Sequence, residues 1–317
     1  MRVGRVCSPR GAGSAETKGI PMTIRSNGPL AGFGWLKRAI NLGHGNPKAV
    51  FGGAALVLVM SLLPSLITMP VQFGMATGGP PSARMLGGVM LFSMVAGLFL
   101  VPLIAGYLRV IDATERGQPI RARDVFALYR EGQTLRLAGY GLAMLVVYFA
   151  VIAIVLVVAG GGLASWYMQL LAAQSGGTPP TSLPAGFGLA IVLFGVFGLL
   201  VMGVYAISLG QVALGGRSVL GAIGDGLVGS IKNVLPMLVF ALSLLVAWIV
   251  VAIALGIFVV VASLLAKVVG AWLMVVLLVP LYIVLMLALF AVMFGAMYHL
   301  WRDVCGDAAP AQGAAFA

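Results

Sequence analysis

Residues 235–263 read LPMLVFALSLLVAWIVVAIALGIFVVVAS, without one charged side chain. About 20 apolar residues in helical form cross the roughly 30 Å of bilayer hydrocarbon. This run exceeds that length, so it predicts a span that tilts or extends past the bilayer. Apolar runs of the same kind flank it, near 49–69, 87–110, 137–160, 187–210 and 271–298. The expected fold is therefore all-α and polytopic, with six transmembrane helices in three hairpins. Composition agrees: 61% of residues are hydrophobic and only 9% charged, where soluble chains carry about a quarter charged. The 44 glycines suit close-packed membrane helices. Pro236 falls at a helix start, where its missing N–H costs little. Pro102 and Pro280 fall inside spans and predict kinks.

Charge placement sets the expected orientation. Of the 19 Lys and Arg residues, 17 precede the first span or follow the second, fourth and sixth, and only Arg84 and Lys267 lie opposite. The positive-inside rule reads this as both ends in the cytoplasm. The two outer loops, 70–86 and 161–186, are rich in Gly, Pro, Ser and Thr and read as connectors. The net charge of +11 sits in short stretches beside apolar spans. That pattern fits topogenic charge against lipid headgroups and not a nucleic-acid face.

The domain reading has three parts. Residues 1–30 form a basic, disordered N-terminal segment without a signal-peptide core, and Met22 is a candidate start beside Met1. Residues 31–305 form the six-helix domain, and 306–317 a disordered tail. Cys7 and Cys305 lie in the two tails and read as free thiols without metal-ligand neighbours.

A threefold pattern runs through the domain. Short amphipathic segments precede alternate spans: Phe33 to Leu42, Asp124 to Leu135, and the glycine-interrupted Ser218 to Ile231. In the first, Phe33, Trp35, Leu36, Ala39, Ile40 and Leu42 fill one half of the helical wheel, and Lys37, Arg38 and Asn41 the other. In the second, Val125, Phe126, Leu128, Tyr129 and Leu135 oppose Arg130, Glu131 and Thr134; in the third, Val219, Ile223 and Leu227 oppose Asp225 and Lys232. Such helices are expected in the headgroup layer with the apolar face in lipid. The spans that follow end alike. Tyr107 precedes Asp112 by five, Tyr298 precedes Asp303 by five, and Tyr205 stands at the corresponding place before Gly210. The three tyrosines are 98 and 93 residues apart, and Asn46 and Asn233 each stand just before a span. Three copies of one unit, a rim helix followed by a transmembrane hairpin, would produce this.

No span carries a charge near its centre, which argues against a carrier coupled through intramembrane carboxylates. His44 and His299 fall at the cytoplasmic interface and read as interfacial hydrogen-bonding groups. Gly160-Gly161-Gly162 lacks the residues of a phosphate loop and reads as a flexible helix end. Ser61, Ser93, Ser208 and Ser243 are expected to bond their own helix backbones. Ala49 with Gly53, Gly139 with Ala143, and Ala291 with Gly295 are small pairs at four-residue spacing that let helices approach. No catalytic, cofactor-binding or metal-binding set is expected, and the chain is not read as an enzyme. Lys37, Arg38, Arg121, Arg123 and Arg130 are the candidates for anionic-lipid contact. Ordinary topogenic charge is the competing reading of the arginine run.

The stretches Phe33-Gly34-Trp35-Leu36-Lys37 through Asn46-Pro47, Pro102 through Tyr107, and Gly117-Gln118-Pro119 followed by Asp124-Val125-Phe126 carry a resemblance. They resemble a family of proteobacterial six-helix inner-membrane proteins of unassigned activity. More distantly they are similar to the membrane domain attached to some glycerophosphodiester phosphodiesterases. The resemblance covers about residues 30 to 305 and implies an inner-membrane location. It implies no hydrolase activity, because the soluble phosphodiesterase domain is absent from this sequence. Two functions are open at this point. One is a non-catalytic protein that organises lipid or scaffolds partners. The other is a transporter or lipid-translocating permease. Membrane lipids are the expected partners, protein partners are open, and homo-oligomers are compatible with the small-residue pairs.

Overall fold

A computed structural model describes residues 24–42, 44–78, 82–160, 162–174 and 178–306. The readings of residues 1–23 (with Cys7 and Met22), of Gly161 and of the tail beyond Gly306 lie outside the described residues. Six helices are long and apolar enough to cross a membrane. They are α2 (Pro47–Gly78), α3 (Ala83–Glu115), α5 (Thr134–Ala159), α7 (Phe187–Ala213), α9 (Val234–Val269) and α10 (Trp272–Cys305). No strand occurs among the described residues. The chain is an all-α polytopic membrane protein. Its spans outrun the apolar runs that announce them: α9 has 36 residues, about 54 Å at 1.5 Å per residue. Helical hydrogen bonding simply continues past the hydrocarbon into both rims.

Three short elements lie at the basic end: α1 (Ala31–Ile40), a 3-10 turn over Ala122–Phe126 running into α4 (Ala127–Arg130), and α8 (Val219–Lys232). The second is not the single helix that Asp124 to Leu135 suggests. Gly132, at φ +72°, breaks it, and Thr134 already opens α5. Leu135 is correspondingly 87% exposed, on the outer side of α5.

The apolar faces of these elements do not lie in lipid as expected; they lie on protein. The 3-10 turn and α4 seat on α2 and α3, α8 seats on α7, and α1 seats on α9 and α10. Each rim element thus covers the hairpin that comes before it. The first has no preceding hairpin and covers the last, so the chain closes into a ring. Glycines mark the closest approaches. A Cβ on Gly106 would run into the Val125 carbonyl, and one on Gly32 into Pro236 and Phe240. A Cβ on Gly226 would stand 2.8 Å from the Val204 carbonyl. In α8 the buried face is Ala222, Gly226, Gly229 and Ser230. The glycines that look like interruptions in the sequence are the packing surface. A second stripe stays outside: Phe33 and Ile40 on α1, Leu220, Leu227 and Ile231 on α8.

Three equivalent bonds tie each hairpin to the linker ahead of the rim element that covers it. Asn46 Nδ2 donates to the Ile120 carbonyl at 3.2 Å, Asn233 Nδ2 to the Arg25 carbonyl at 2.9 Å, and the Arg136 guanidinium to the Arg217 carbonyl. Asn27 N–H also donates to Asn233 Oδ1 at 2.8 Å, and Arg25 N–H to the Val304 carbonyl at 3.0 Å. The packed chain therefore begins ahead of residue 31.

The core sits at this same end, where α3, α7 and α10 meet: Leu103, Tyr107, Leu108, Ile111, Ile207, Leu209, Tyr298 and Trp301 are buried there. At the far end a small cluster of Val155, Ala159 and Ala190 joins α5 to α7. Loop 161–186 is more than a connector. It holds α6 (Gly162–Gln174), and Trp166 Nε1 donates to the Ser182 carbonyl at 3.1 Å. Its Met, Leu, Ala and Gln residues are good helix formers set between glycine-rich ends. Pro102 lies inside α3, and the carbonyl of Phe99, three residues ahead of it, accepts from the Tyr129 hydroxyl of α4.

Gly106→Leu should lower thermal stability in detergent by about 1–3 kcal/mol, the usual overpacking range. Gly195→Leu, which meets nothing within 4 Å, should leave the melting temperature unchanged or slightly raised. Equal melting of the two variants would refute the seating of the 3-10 turn on α3.

Candidate lipid-contact site at the basic rim

Asp and Glu are scarce, and the structure uses each one it describes. Asp112, Glu115, Asp124, Glu131, Asp225 and Asp303 all sit in ion pairs, with Arg116, Arg302, Arg130, Arg109, Arg217 and Arg38 respectively. Several of these pairs bind one element to another. Asp303 of α10 takes the Arg38 guanidinium and, at 2.9 Å, the Trp35 indole N–H, both from α1. Asp112 of α3 accepts from the Tyr298 hydroxyl of α10 at 3.0 Å and from Arg116 Nε at 2.8 Å. Arg109 reaches Glu131 at 2.7 Å and the Ala213 carbonyl at the end of α7 at 3.2 Å. Asp225 of α8 receives Arg217 Nε at 2.9 Å and Gln211 Nε2 at 3.3 Å. Hydrogen bonding to Asp225 and Asp112 raises the pKa of Arg217 and of Arg116 respectively.

This pairing divides the five candidate lipid contacts. Arg38 is committed to Asp303, and its side chain is 41% exposed. Arg130 lies 3.7 Å from Asp124 with 68% of its side chain exposed. Lys37, Arg121 and Arg123 are exposed and have no carboxylate partner among the described residues. Lys37 stands alone on the outer stripe of α1, between Phe33 and Ile40. Arg121 and Arg123 come together, because Asp124 Oδ2 accepts from the Arg121 backbone N–H at 2.9 Å and folds the turn. Asn46 draws this turn to the start of α2, and its Oδ1 caps that helix by accepting from Ala49 N–H at 3.2 Å. The result is an open pocket of about 430 Å³ walled by Asn46, Pro119, Ile120, Arg121, Arg123 and Asp124.

Lys48 is one of the 17 cations of the basic end but not one of the five candidate contacts. It is exposed in the first turn of α2, two residues from Asn46, and has no carboxylate partner among the described residues. Its signal in the sequence is its place in Asn46-Pro47-Lys48, a helix start beside a cation. The N-terminal end of α2 adds some partial positive charge, although Pro47 has no N–H and Asn46 already caps Ala49 N–H. Two exposed guanidiniums in the wall of one open pocket, with the Lys48 ammonium two residues along the chain from Asn46 of that wall, favour an anionic oxygen ligand such as a phosphate.

His299 is buried, and neither of its ring nitrogens has a hydrogen-bond partner among the described residues; it is not an interfacial donor. His44 is exposed on the loop ahead of α2. Cys305 has no disulfide among the described residues, and it is buried in the last turn of α10 and not in a tail. Ser61, Ser208 and Ser243 bond carbonyls four residues back at 2.8, 2.5 and 2.7 Å. Ser93 makes no such bond. Of the small pairs, Gly53 meets Tyr107 and Val125, and Gly295 meets Ala39 and Leu42, whereas Gly139 faces open space. No group of three His, Cys, Asp or Glu side chains gathers among the described residues in a way that could hold a metal ion.

Asp303→Ala should loosen α1 from α10, because it strands the Trp35 indole and the Arg38 guanidinium together. The expected loss is about 1–3 kcal/mol, read as a lower detergent melting temperature and faster proteolysis at residues 24–42. Asp124→Ala, whose ion pair is more exposed, should cost less.

No family model, curated protein or solved structure matches the chain.

Proposed function

We propose that this protein is a non-catalytic, multi-pass protein of the bacterial inner membrane that organises anionic lipid at its cytoplasmic rim. The observation that carries this reading is the pocket walled by Asn46, Arg121 and Arg123 next to Lys48. All six carboxylates among the described residues sit in ion pairs with other arginines, so these cations are left for an outside anion. Apolar residues on the outer stripes of α1 and α8 support a place in the headgroup layer. The bias of Lys and Arg toward this end supports N-in and C-in. The ring of rim elements, with its three equivalent linker bonds, supports descent from three copies of one unit. The alternative, a transporter or lipid-translocating permease, gains less support. The void among α1, α7, α9 and α10 is only about 40 Å³ and has apolar walls, room for a water or two.

Purified protein in nanodiscs should retain phosphatidylglycerol-type lipid in native mass spectrometry. Each cation near a lipid surface contributes about 1 kcal/mol. Arg121→Gln with Arg123→Gln should therefore cut retention roughly tenfold or more. Lys48→Gln should weaken it, Arg130→Gln should have a smaller effect, and Arg38→Gln should act on stability and not on lipid. Retention indifferent to Arg121, Arg123 and Lys48 removes the reading. Orientation has its own check: a green fluorescent reporter fused after Ala317 should fluoresce and an alkaline phosphatase fusion should stay inactive. The reverse result overturns N-in and C-in.

A further inference from the structure

The three seams between neighbouring hairpins are filled unequally. At the seam of α10, α2 and α3, Tyr107 stacks against Phe290 and Phe294 with ring centroids 5.7 and 5.6 Å apart. At the seam of α7, α9 and α10, the remaining void is about 40 Å³. At the seam of α3, α5 and α7, a groove of about 250 Å³ stays open. Its walls include Gly97, where an added Cβ would meet nothing within 4 Å, and Met94 and Met144.

This open groove also gathers hydroxyls: Ser93, Tyr148 and Tyr205 line it. None of the three hydroxyls has a hydrogen-bond partner among the described residues. The neighbouring Tyr140 differs, since its hydroxyl pairs with Ser208 Oγ at 2.8 Å. Ser93 differs from Ser61, Ser208 and Ser243, which all turn back to their own helices. The groove residues occupy positions 93–104 of α3, the middle third of a 33-residue helix. Hydroxyls at that depth have no water to bond, and an unpaired one costs free energy. No Asp, Glu, Lys, Arg or His lines the groove.

We propose that the α3–α5–α7 groove binds an uncharged, ring-headed lipid bearing carbonyl oxygens, of the isoprenoid quinone class. The hydroxyls of Ser93, Tyr148 and Tyr205 donate to its carbonyls. The lack of charge in the walls excludes an ionic head. Mid-membrane depth selects a head that leaves the interface, unlike the glycerol esters of a phospholipid. The methionines and tyrosine rings offer soft and aromatic surface to a flat ring. This site is separate from the basic rim, so either can fail without the other.

The test uses the full chain in zwitterionic nanodiscs, titrated with a decyl-chain benzoquinone and followed by quenching of intrinsic fluorescence. Wild type should bind saturably. Tyr148→Phe with Tyr205→Phe should weaken binding about thirtyfold, the effect of two lost hydrogen bonds near 1 kcal/mol each. Gly97→Leu should abolish binding by filling the groove, with an unchanged melting temperature showing that the fold survives. Non-saturable quenching in wild type, or equal affinity across wild type, the double Phe variant and Gly97→Leu, overturns the proposal. So does retention of a phospholipid, and no quinone, that is lost in Gly97→Leu when bound lipids are extracted and weighed.

Discussion

The structure depends on the seating of each rim element on the hairpin before it. Six parallel and antiparallel apolar helices gain little from one another in lipid, because hydrocarbon solvates their side chains as well as a neighbour does. What holds membrane helices is close packing and polar contact. Here both concentrate at one end. Gly32, Gly106 and Gly226 let backbone approach backbone, so dispersion contacts accumulate where side chains would otherwise hold the elements apart. Because α1 covers α9 and α10, the ring closes between the first and the last parts of the chain.

Ion pairing follows from that seating. At the rim, water competes and exposed pairs are individually weak. The pairs that matter join elements: Arg38 with Asp303, and Arg109 with both Glu131 and the end of α7. With every described carboxylate occupied, the positive surplus is not spread evenly. Lys37 carries part of it alone on α1, and Lys48, Arg121 and Arg123 carry part of it together, where Asn46 holds the turn against α2. The scaffold that closes the core therefore also decides which cations face outward.

The far half of the bundle obeys the opposite rule. Beyond Phe240, Ala262 is the one residue of α9 that is buried, and its apolar side chains lie open to lipid. The seams between hairpins differ as well: aromatic rings around Tyr107 fill one beside the core, and a groove with unpaired hydroxyls remains at another.

Much of the fold was legible in residues 31–305. Runs of uncharged apolar residues fix the number of spans, because hydrocarbon admits only helices or closed barrels. The clustering of Lys and Arg identified the basic end. The amphipathic segments were legible as short rim elements, and Arg121 and Arg123 as candidates for lipid contact. The partner of each apolar face was not. Periodicity tells that Trp35, Leu36 and Ala39 share a side, but lipid and a distant helix are equally apolar and leave the same pattern. For the same reason the glycines of α8 looked like defects: a packing face made of hydrogen atoms carries no hydrophobic signal. Which cations stay free was also beyond the sequence, since Arg38 and Lys37 are neighbours in the chain and only the position of Asp303, 265 residues away, separates their roles. The sequence by itself determined the solvent of this protein and the side on which its charge lies. Tertiary structure alone decided the ring closure, the free cations and the open seam, because each depends on contacts between residues far apart in the chain.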